Sequence, residues 1–233
     1  TLFSFKTNHA YRLYEILKVH EYKIGENNKP IEIVYSLSDL KLQLNCINTE
    51  EKKVKIELMQ PHPNYDKIVN NLDAEKKFES WYEFKRGVLE KALKEINEKT
   101  ELDVSYTPIR TGRGGKTTSV RFYLKRKVAL VTGSNRGIGK SCIEDFARAG
   151  VNVVINYCHH EDEAEELEKY IKENYDVEVL TIKCDISKEE EVEQMVDEII
   201  EVFGGIDILV NNASVARDSL LMDKNIKEFK RVL

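Results

Sequence analysis

The chain has 233 residues, of which 41 % are apolar and 33 % charged, with a net charge of −5. That length and balance fit one or two globular domains and exclude a disordered or low-complexity chain. Residues 1–126 hold 23 Lys and Arg against 18 Asp and Glu, whereas residues 127–233 hold 13 against 23, which predicts two domains with different partners. The cysteines (Cys46, Cys142, Cys158, Cys184) show no CxxC spacing. This argues against a disulfide framework or a zinc site and for a reducing compartment. No apolar run nears the roughly 18–20 residues that cross a bilayer, and no secretory signal pattern opens the chain. We therefore expect a cytoplasmic protein with no membrane partner. The first residue is Thr1 rather than Met, so the start is expected to be processed or cut.

In chain order, residues 8–19 (NHAYRLYEILKV) set Ala10, Leu13, Ile16 and Leu17 on one face and predict an amphipathic helix. Residues 31–36 (IEIVYS) alternate and predict a strand, and Ser36 stands as a cap before the helix LSDLKLQL. TEEKKVKIELMQ (49–60) has a strand-like alternation, PHPNYD (61–66) reads as a turn or loop, and KIVNNLDAEKKF (67–78) as a short helix. Residues 81–99 predict the strongest helix of this half, with Phe84, Val88, Leu89, Ala92 and Ile96 inward. Glu83, Arg86, Glu90 and Lys94 lie on the opposite face. LDVSYTPIR, the turn TGRGGK and TTSVRFYLKR predict a β-hairpin. From Lys127 the rhythm changes to four apolar strands alternating with three helices, from KVALVT to IDILVNN. That pattern predicts a parallel sheet covered on both faces. The domains are expected at 1–126 and 127–233 with almost no linker, so SVRFYLKRKVALVT should be two strands of different sheets.

The order of the first half is that of an α+β winged helix, which sets a helix in the major groove and a hairpin wing on the backbone. Arg110, Arg113, Lys116, Arg121, Lys125 and Arg126 load the hairpin with charge suited to phosphates. The start of the long helix offers Tyr82, Glu83, Lys85 and Arg86; Arg pairs with a guanine edge, and Glu accepts from a cytosine amine. Candidate DNA-facing residues are Tyr82, Lys85, Arg86, Arg110, Arg113, Lys116 and Arg121. The competing reading is a solvated basic surface, and Trp81 and Tyr82 fit a core role equally well. YRLYEILK and FKRGVLEKALKEINEKTELDVSYTPIRTGRGGKTTSVRFYL resemble the C-terminal winged-helix domain of iteron-binding plasmid replication initiators. The likeness spans about residues 1–126 and is most specific over 81–124. It implies sequence-specific binding of double-stranded DNA. Members of that family usually carry an upstream winged helix that residues 1–126 do not include.

In the second half, Gly133, Ser134, Asn135, Arg136, Gly137, Ile138 and Gly139 follow a buried strand and open a helix, the setting of a dinucleotide turn. Glycines allow close approach to a pyrophosphate, and amides at the helix N-terminus meet its charge. Asp185 and Ile186 follow the third strand, where adenine would be met. Asn211 and Ala213 flank Asn212 at the end of the fourth, beside the crevice. The second strand ends in Asn156-Tyr157-Cys158, with no acid to grip a ribose 2′-hydroxyl, and Arg136 suits a 2′-phosphate. Both points favour NADP over NAD.

TGSNRGIG, CDIS and NNAS resemble short-chain dehydrogenases/reductases, and RDSLLMDKN (217–225) narrows the likeness to 3-oxoacyl-acyl-carrier-protein reductases. The resemblance implies an α/β Rossmann-type doubly wound parallel sheet, NADP(H), and reduction of a β-ketoacyl thioester. Ser214 departs from the glycine usual after NNA. The family's catalytic Asn, Ser, Tyr and Lys would fall beyond Leu233. The resemblance therefore implies a truncated sheet of four strands rather than seven, no catalytic residue within the chain and no ketoacyl turnover. It also leaves the strand at 206–210 as an apolar edge open to self-association. Tyr157, Tyr170 and Tyr175 lack the Tyr-x-x-x-Lys spacing. His159-His160 has no third ligand and His62 sits between prolines, so no metal site is expected. Three readings stand: a DNA-binding module with an incomplete NADP-binding tail, a fragment of an NADP-dependent reductase, and a non-natural chimera of the two.

Overall fold

The computed structural model describes residues 5–70, 77–112 and 115–214. Backbone contacts divide the chain into two compact units, Thr1–Arg126 and Lys127–Leu233.

The first unit packs helices on a three-stranded antiparallel sheet. Its helices are α1 (Asn8–Lys18), α2 (Leu37–Gln43), α3 (Lys52–Leu58), α4 (Tyr65–Asn70), α5 (Trp81–Phe84) and α6 (Glu90–Lys99). Its strands are β1 (Ile31–Ser36), β2 (Leu102–Thr111) and β3 (Lys116–Arg126), in the order β1-β3-β2. Side-chain caps start the helices where the sequence places them. Thr7 Oγ1 accepts from Ala10 N at 3.2 Å, and Ser36 Oγ from Asp39 N at 3.0 Å. Ser80 and Glu83 form a reciprocal capping box, both bonds 3.1 Å. Ser80→Ala is expected to lower the unfolding free energy by about 1 kcal/mol, read as a shift in the urea midpoint with an unchanged slope.

Leu13 and Leu17 of α1 meet Phe84, Leu89 and Ile96 over Phe122 and Leu124 of the sheet. The register sets Ile33 opposite Phe122 and Val104 opposite Leu124, so one sheet face supplies the core. Glu95 of α6 ties down the start of α1, accepting from Lys6 N at 2.6 Å and Thr7 Oγ1 at 3.0 Å. Burial opposes its ionisation, but these hydrogen bonds outweigh burial and hold the carboxyl below its ordinary pKa. The depressed value means that Glu95 stabilises the fold above the unfolded-state pKa. That contribution is lost as pH falls through the folded-state value. Glu95→Gln should therefore destabilise at pH 7 and lose part of the acid dependence of the melting temperature.

Three local expectations are corrected. Residues 52–58 are helix, not strand: Val54 is fully buried with Ile47, Ile68 and Leu42 in a small second core, joined by Leu58 four residues on. The K-V-K-I-E-L alternation matches either period over so few residues. The turn at PHPNYD ends earlier than expected, because Asn64 Oδ1 accepts from Lys67 N at 2.9 Å and α4 already begins at Tyr65. The helix over 81–99 is interrupted by a π turn at Lys85–Leu89. Gly87 sits in it, and a Cβ there would lie 2.4 Å from Phe78 Cε1, so the ring occupies the space a side chain would need. The inward residues Phe84, Val88, Leu89, Ala92 and Ile96 are all buried.

In the second unit, β4 (Val128–Val131), β5 (Asn152–Tyr157), β6 (Val179–Lys183) and β7 (Ile208–Val210) form a parallel sheet in the order β6-β5-β4-β7. The helices are α7 (Gly137–Arg148), α8 (Glu161–Asn174) and α9 (Glu189–Phe203). All of VALV is buried because both faces are covered. Val131, Val153 and Ile155 meet Ile143 and Leu167 on one side. Val128, Leu130 and Val154 meet Met195, Ile199 and Phe203 on the other. This is a doubly wound α/β layer arrangement. β3 ends at Arg126 in one sheet and β4 begins at Val128 in another. Among the described residues β7 is an edge strand, with Leu209 56 % exposed, and no helix is long and apolar enough to cross a membrane.

Candidate functional site

Each unit presents a site of its own. In the first, the β2–β3 hairpin carries exposed Arg110 and Lys116 at its tip. Gly112 (φ +75°) and Gly115 (φ +60°) make the turn, closed by Gly115 N to Gly112 O at 3.1 Å. Arg113 lies outside the described residues. The charge expected along the whole hairpin is concentrated at this tip, because the cations further down are matched by carboxylates. Arg121 Nε is 3.4 Å from Glu32, Lys125 Nζ 3.6 Å from Asp103, and Arg126 Nε 3.1 Å from Glu21. Arg126 is further fixed by buried Asn28, which donates to its carbonyl at 2.8 Å and accepts from its N–H at 2.9 Å. Beneath it, Lys18 bridges Glu21 and buried Glu101, and Tyr14 donates to Glu101 at 3.0 Å. Burial and then the Glu101 charge push the Tyr14 phenol far up. Arg126 is held within the fold, whereas Arg121 and Glu32 form an exposed pair.

On the helix, the alternatives for Trp81 and Tyr82 separate. Trp81 packs on the core beside Phe84, with ring centroids 6.2 Å apart, whereas Tyr82 is 62 % exposed. Arg86 lies one turn on, its guanidinium 5.4 Å from the Tyr82 ring centroid and donating to the phenol oxygen. Lys85 Nζ is 3.4 Å from Glu90. Tyr82 and Arg86 thus form a stacked, outward pair.

In the second unit the turn after β4 is held from three sides. Gly133 has φ +59° and passes so close to the end of β7 that a Cβ would stand 2.9 Å from Ala213 Cβ. A Cβ on Gly139 would meet Asn212 Nδ2 at 2.6 Å, Gly133 O at 2.7 Å and Ser134 Cα at 2.8 Å, so the helix lies against the backbone of the turn and the Asn212 side chain from the strand end. Gly137, the first residue of α7, has φ +60° and open space where its side chain would be. The three glycines serve three needs: a close strand crossing, an open approach above the helix N-terminus, and tight helix–turn packing.

Residues 127–233 match the short chain dehydrogenase family. Residues 66–124 match the family described as initiator Rep protein, WH2. The 3-oxoacyl-acyl-carrier-protein reductase FabG of Staphylococcus epidermidis is 41 % identical over 107 residues, covering 46 % of this chain and 43 % of that protein. Its Staphylococcus aureus counterpart is 39 % identical with the same coverage. A short-chain dehydrogenase/reductase of Pestalotiopsis microspora is 38 % identical over 116 residues, covering 50 % and 43 %. A solved short-chain dehydrogenase/reductase double mutant from Serratia marcescens shares 32 % identity, with a TM-score of 0.43, covering 46 % of this chain and 43 % of that one. The chain spans less than half the length of the curated relatives it matches.

Within the second unit, the expected site residues divide by what their side chains do. Ser134 and Asn135 are buried and hold the turn itself. Asn156 N donates to Ser134 Oγ at 3.1 Å, and Asn135 Nδ2 donates to His159 O at 3.1 Å. Arg136, Gly137 and Ile138 face solvent at the start of α7, Ile138 being 78 % exposed. The first amides of a helix have no intrahelical acceptor. Asp185 Oδ1 accepts from Ser187 N at 3.1 Å and Ser187 Oγ at 2.7 Å, and Ile186 beside it is 40 % exposed. Asn211 and Ser214 are exposed and Ala213 is half-buried. RDSLLMDKN lies outside the described residues. Tyr157 is buried, Tyr170 is exposed, and among the described residues no group of three His, Cys, Asp or Glu could hold a metal.

Three residues that organise this site were not among the candidate contacts. Asn156 Oδ1 accepts from Gly133 N at 3.0 Å while its Nδ2 donates to Cys184 O at 3.1 Å, linking the ends of β4, β5 and β6. Thr132 Oγ1 accepts from Asn212 N and Ala213 N, both at 3.0 Å, and Asn212 Nδ2 donates to Gly133 O at 2.9 Å. The available signal was Asn156, a polar residue directly after the apolar run Val153-Val154-Ile155 of a buried strand.

Proposed function

We propose that the protein binds double-stranded DNA through its first unit, as an initiator-type winged helix, and NADP(H) through its second. The observation that carries the DNA reading is the concentration of cationic charge at the Arg110–Lys116 tip. This lies in the same unit as the outward Tyr82–Arg86 pair. The helix order and the β1-β3-β2 sheet support the winged-helix reading. The tip would rest on phosphates and the Tyr82–Arg86 turn would meet base edges. Fluorescence anisotropy of labelled duplexes tests this: binding that weakens steeply with salt supports it, and no binding at low salt sinks it.

The turn geometry favours the dinucleotide reading. The cradle fits a pyrophosphate: open space over Gly137 at a helix N-terminus, on a turn locked by Asn156 and Asn212. Arg136 would take a 2′-phosphate and Ile186 would pack on adenine. Bound NADPH supplies a hydride. The chain's own residues would bind and orient it, and none of Tyr157, Tyr170 and Tyr175 precedes a lysine by four positions. A polypeptide of residues 1–233 is therefore expected to bind NADPH more tightly than NADH and to show no ketoacyl turnover. NADPH oxidation with a β-ketoacyl thioester would favour the alternative, a working reductase. Leu209 on the β7 edge supports self-association. Leu209→Lys should shift any dimer toward monomer in sedimentation.

A further inference from the structure

Two cysteines with no part in the proposed cofactor contacts stand side by side at the carboxyl ends of neighbouring strands. β5 and β6 pair with Tyr157 opposite Lys183, and Cys184 N donates to Tyr157 O at 2.9 Å, which carries the ladder one step further. Cys158 and Cys184 are the next residues, one step past the last paired positions. Side chains alternate along a strand. Tyr157 packs in the core on one face and Cys184 beside Ile182 in the core on the other, and the alternation carried one step past the end of β5 sets Cys158 on the side of Cys184. Neighbouring strands lie about 4.8 Å apart, within the Cα separation of about 4.4–6.8 Å that a disulfide spans. Both thiols are free, Cys184 buried and Cys158 half-buried, and Cys158 Sγ is 3.7 Å from His159 Nε2. Burial, then Glu191, Asp185 and Cys158, push the Cys184 thiol up against the opposing pull of Lys188. The accessible Cys158 is thus the thiol that an oxidant meets first.

We propose that Cys158 and Cys184 form a peroxide-responsive dithiol whose oxidation to a disulfide weakens dinucleotide binding. The Cys158 thiolate attacks one oxygen of hydrogen peroxide. An S–O bond forms as the O–O bond breaks, and the departing hydroxide leaves as water with the thiol's proton. The Cys184 sulfur then attacks the Cys158 sulfur, forming the S–S bond and breaking S–O, and the second oxygen leaves as water with the Cys184 proton. Two thiols lose two electrons, which reduce one peroxide to two waters. The effect on the cofactor rests on the proposed NADP(H) site. Cys184 O accepts from Asn156 Nδ2 and Asn156 Oδ1 accepts from Gly133 N, so a shift of the Cys184 backbone reaches the glycine turn through one side chain.

The test treats the 233-residue protein with hydrogen peroxide, blocks remaining thiols, digests without reductant and reads peptide masses. The expected product is a Cys158–Cys184 linked peptide, about 2 Da lighter than its two thiol peptides together, reversed by dithiothreitol and absent in Cys158→Ser. Cys46, whose thiol burial pushes up to about 11, is an internal control and stays reduced. NADPH affinity should fall at least about tenfold on oxidation, recover on reduction, and ignore peroxide in Cys158→Ser. Sulfinic acid at Cys158 with Cys184 still reduced, or Cys158 pairs between chains, would overturn the dithiol. A linked peptide with unchanged affinity would overturn its control of binding. Reduced protein that binds no NADPH would refute the cofactor site alone, because the peptide masses need no cofactor.

Discussion

Gly137→Ala should lower NADPH affinity by more than about tenfold while costing about 1–2 kcal/mol of folding stability. The stability cost arises because φ +60° is the left-handed region, where a Cβ crowds its own carbonyl. The affinity cost is separate. Nothing in the protein lies within 4 Å of that Cβ, so the methyl projects into the open approach above the helix N-terminus, where a pyrophosphate would sit. Gly139→Ala makes the contrast. Its Cβ would strike Asn212 Nδ2, Gly133 O and Ser134 Cα, two of them backbone atoms of the turn. This variant should lose stability first, by about 1–3 kcal/mol or more, with affinity following the damaged turn. Chemical denaturation beside NADPH fluorescence titration separates the two. Equal affinity for wild type and Gly137→Ala would remove the pyrophosphate from this turn.

Replacing both Arg110 and Lys116 by alanine should weaken duplex binding at every sequence tested. It should also reduce the slope of log affinity against log salt by about 0.9 for each phosphate no longer neutralised, so by about 2 for the pair. Both side chains are exposed and stand at a glycine turn outside the core, so the thermal midpoint should barely move. Arg86→Ala should behave differently. Its guanidinium is held over Tyr82, so its loss should cost about 1–3 kcal/mol at the preferred site and little on random duplex. Arg121→Ala should change the slope least, because Glu32 already stands 3.4 Å from its Nε. If Arg121→Ala reduced the slope as much as the tip variant, phosphate binding would extend along the strand rather than sit at the turn.

Much of the fold was legible in one dimension. Apolar strands alternating with helices after Lys127 could be satisfied only by a parallel sheet with both faces covered. The cap at Ser36 was readable because a short polar side chain before an amphipathic run has one obvious acceptor role, whereas the Ser80–Glu83 capping box emerged only in the structure. Other features were not readable. Residues 52–58 are too few for their period to separate helix from strand, and the buried Val54 settled the matter by packing with Ile47 and Ile68, remote in sequence. The π turn at Lys85–Leu89, with the Phe78 ring against Gly87, is a feature no helical periodicity records.

The same division holds at the two sites. Sequence by itself determined that the chain has two unlike halves, and that a glycine-rich turn follows a buried strand and opens a helix. It also determined that the hairpin is cationic, because periodicity, turn chemistry and charge are local properties. Only the tertiary structure decided which of those charges stand against carboxylates. Arg121, Lys125 and Arg126 meet carboxylates brought from β1, β2 and the segment after α1, leaving Arg110 and Lys116 at the tip. Only it showed that Asn156 and Asn212 lock the turn, since their partners are 23 and 79 residues away in the chain. It alone paired Tyr157 with Lys183, the positions just before Cys158 and Cys184, because strand register is fixed by burial across the whole sheet rather than by either strand alone.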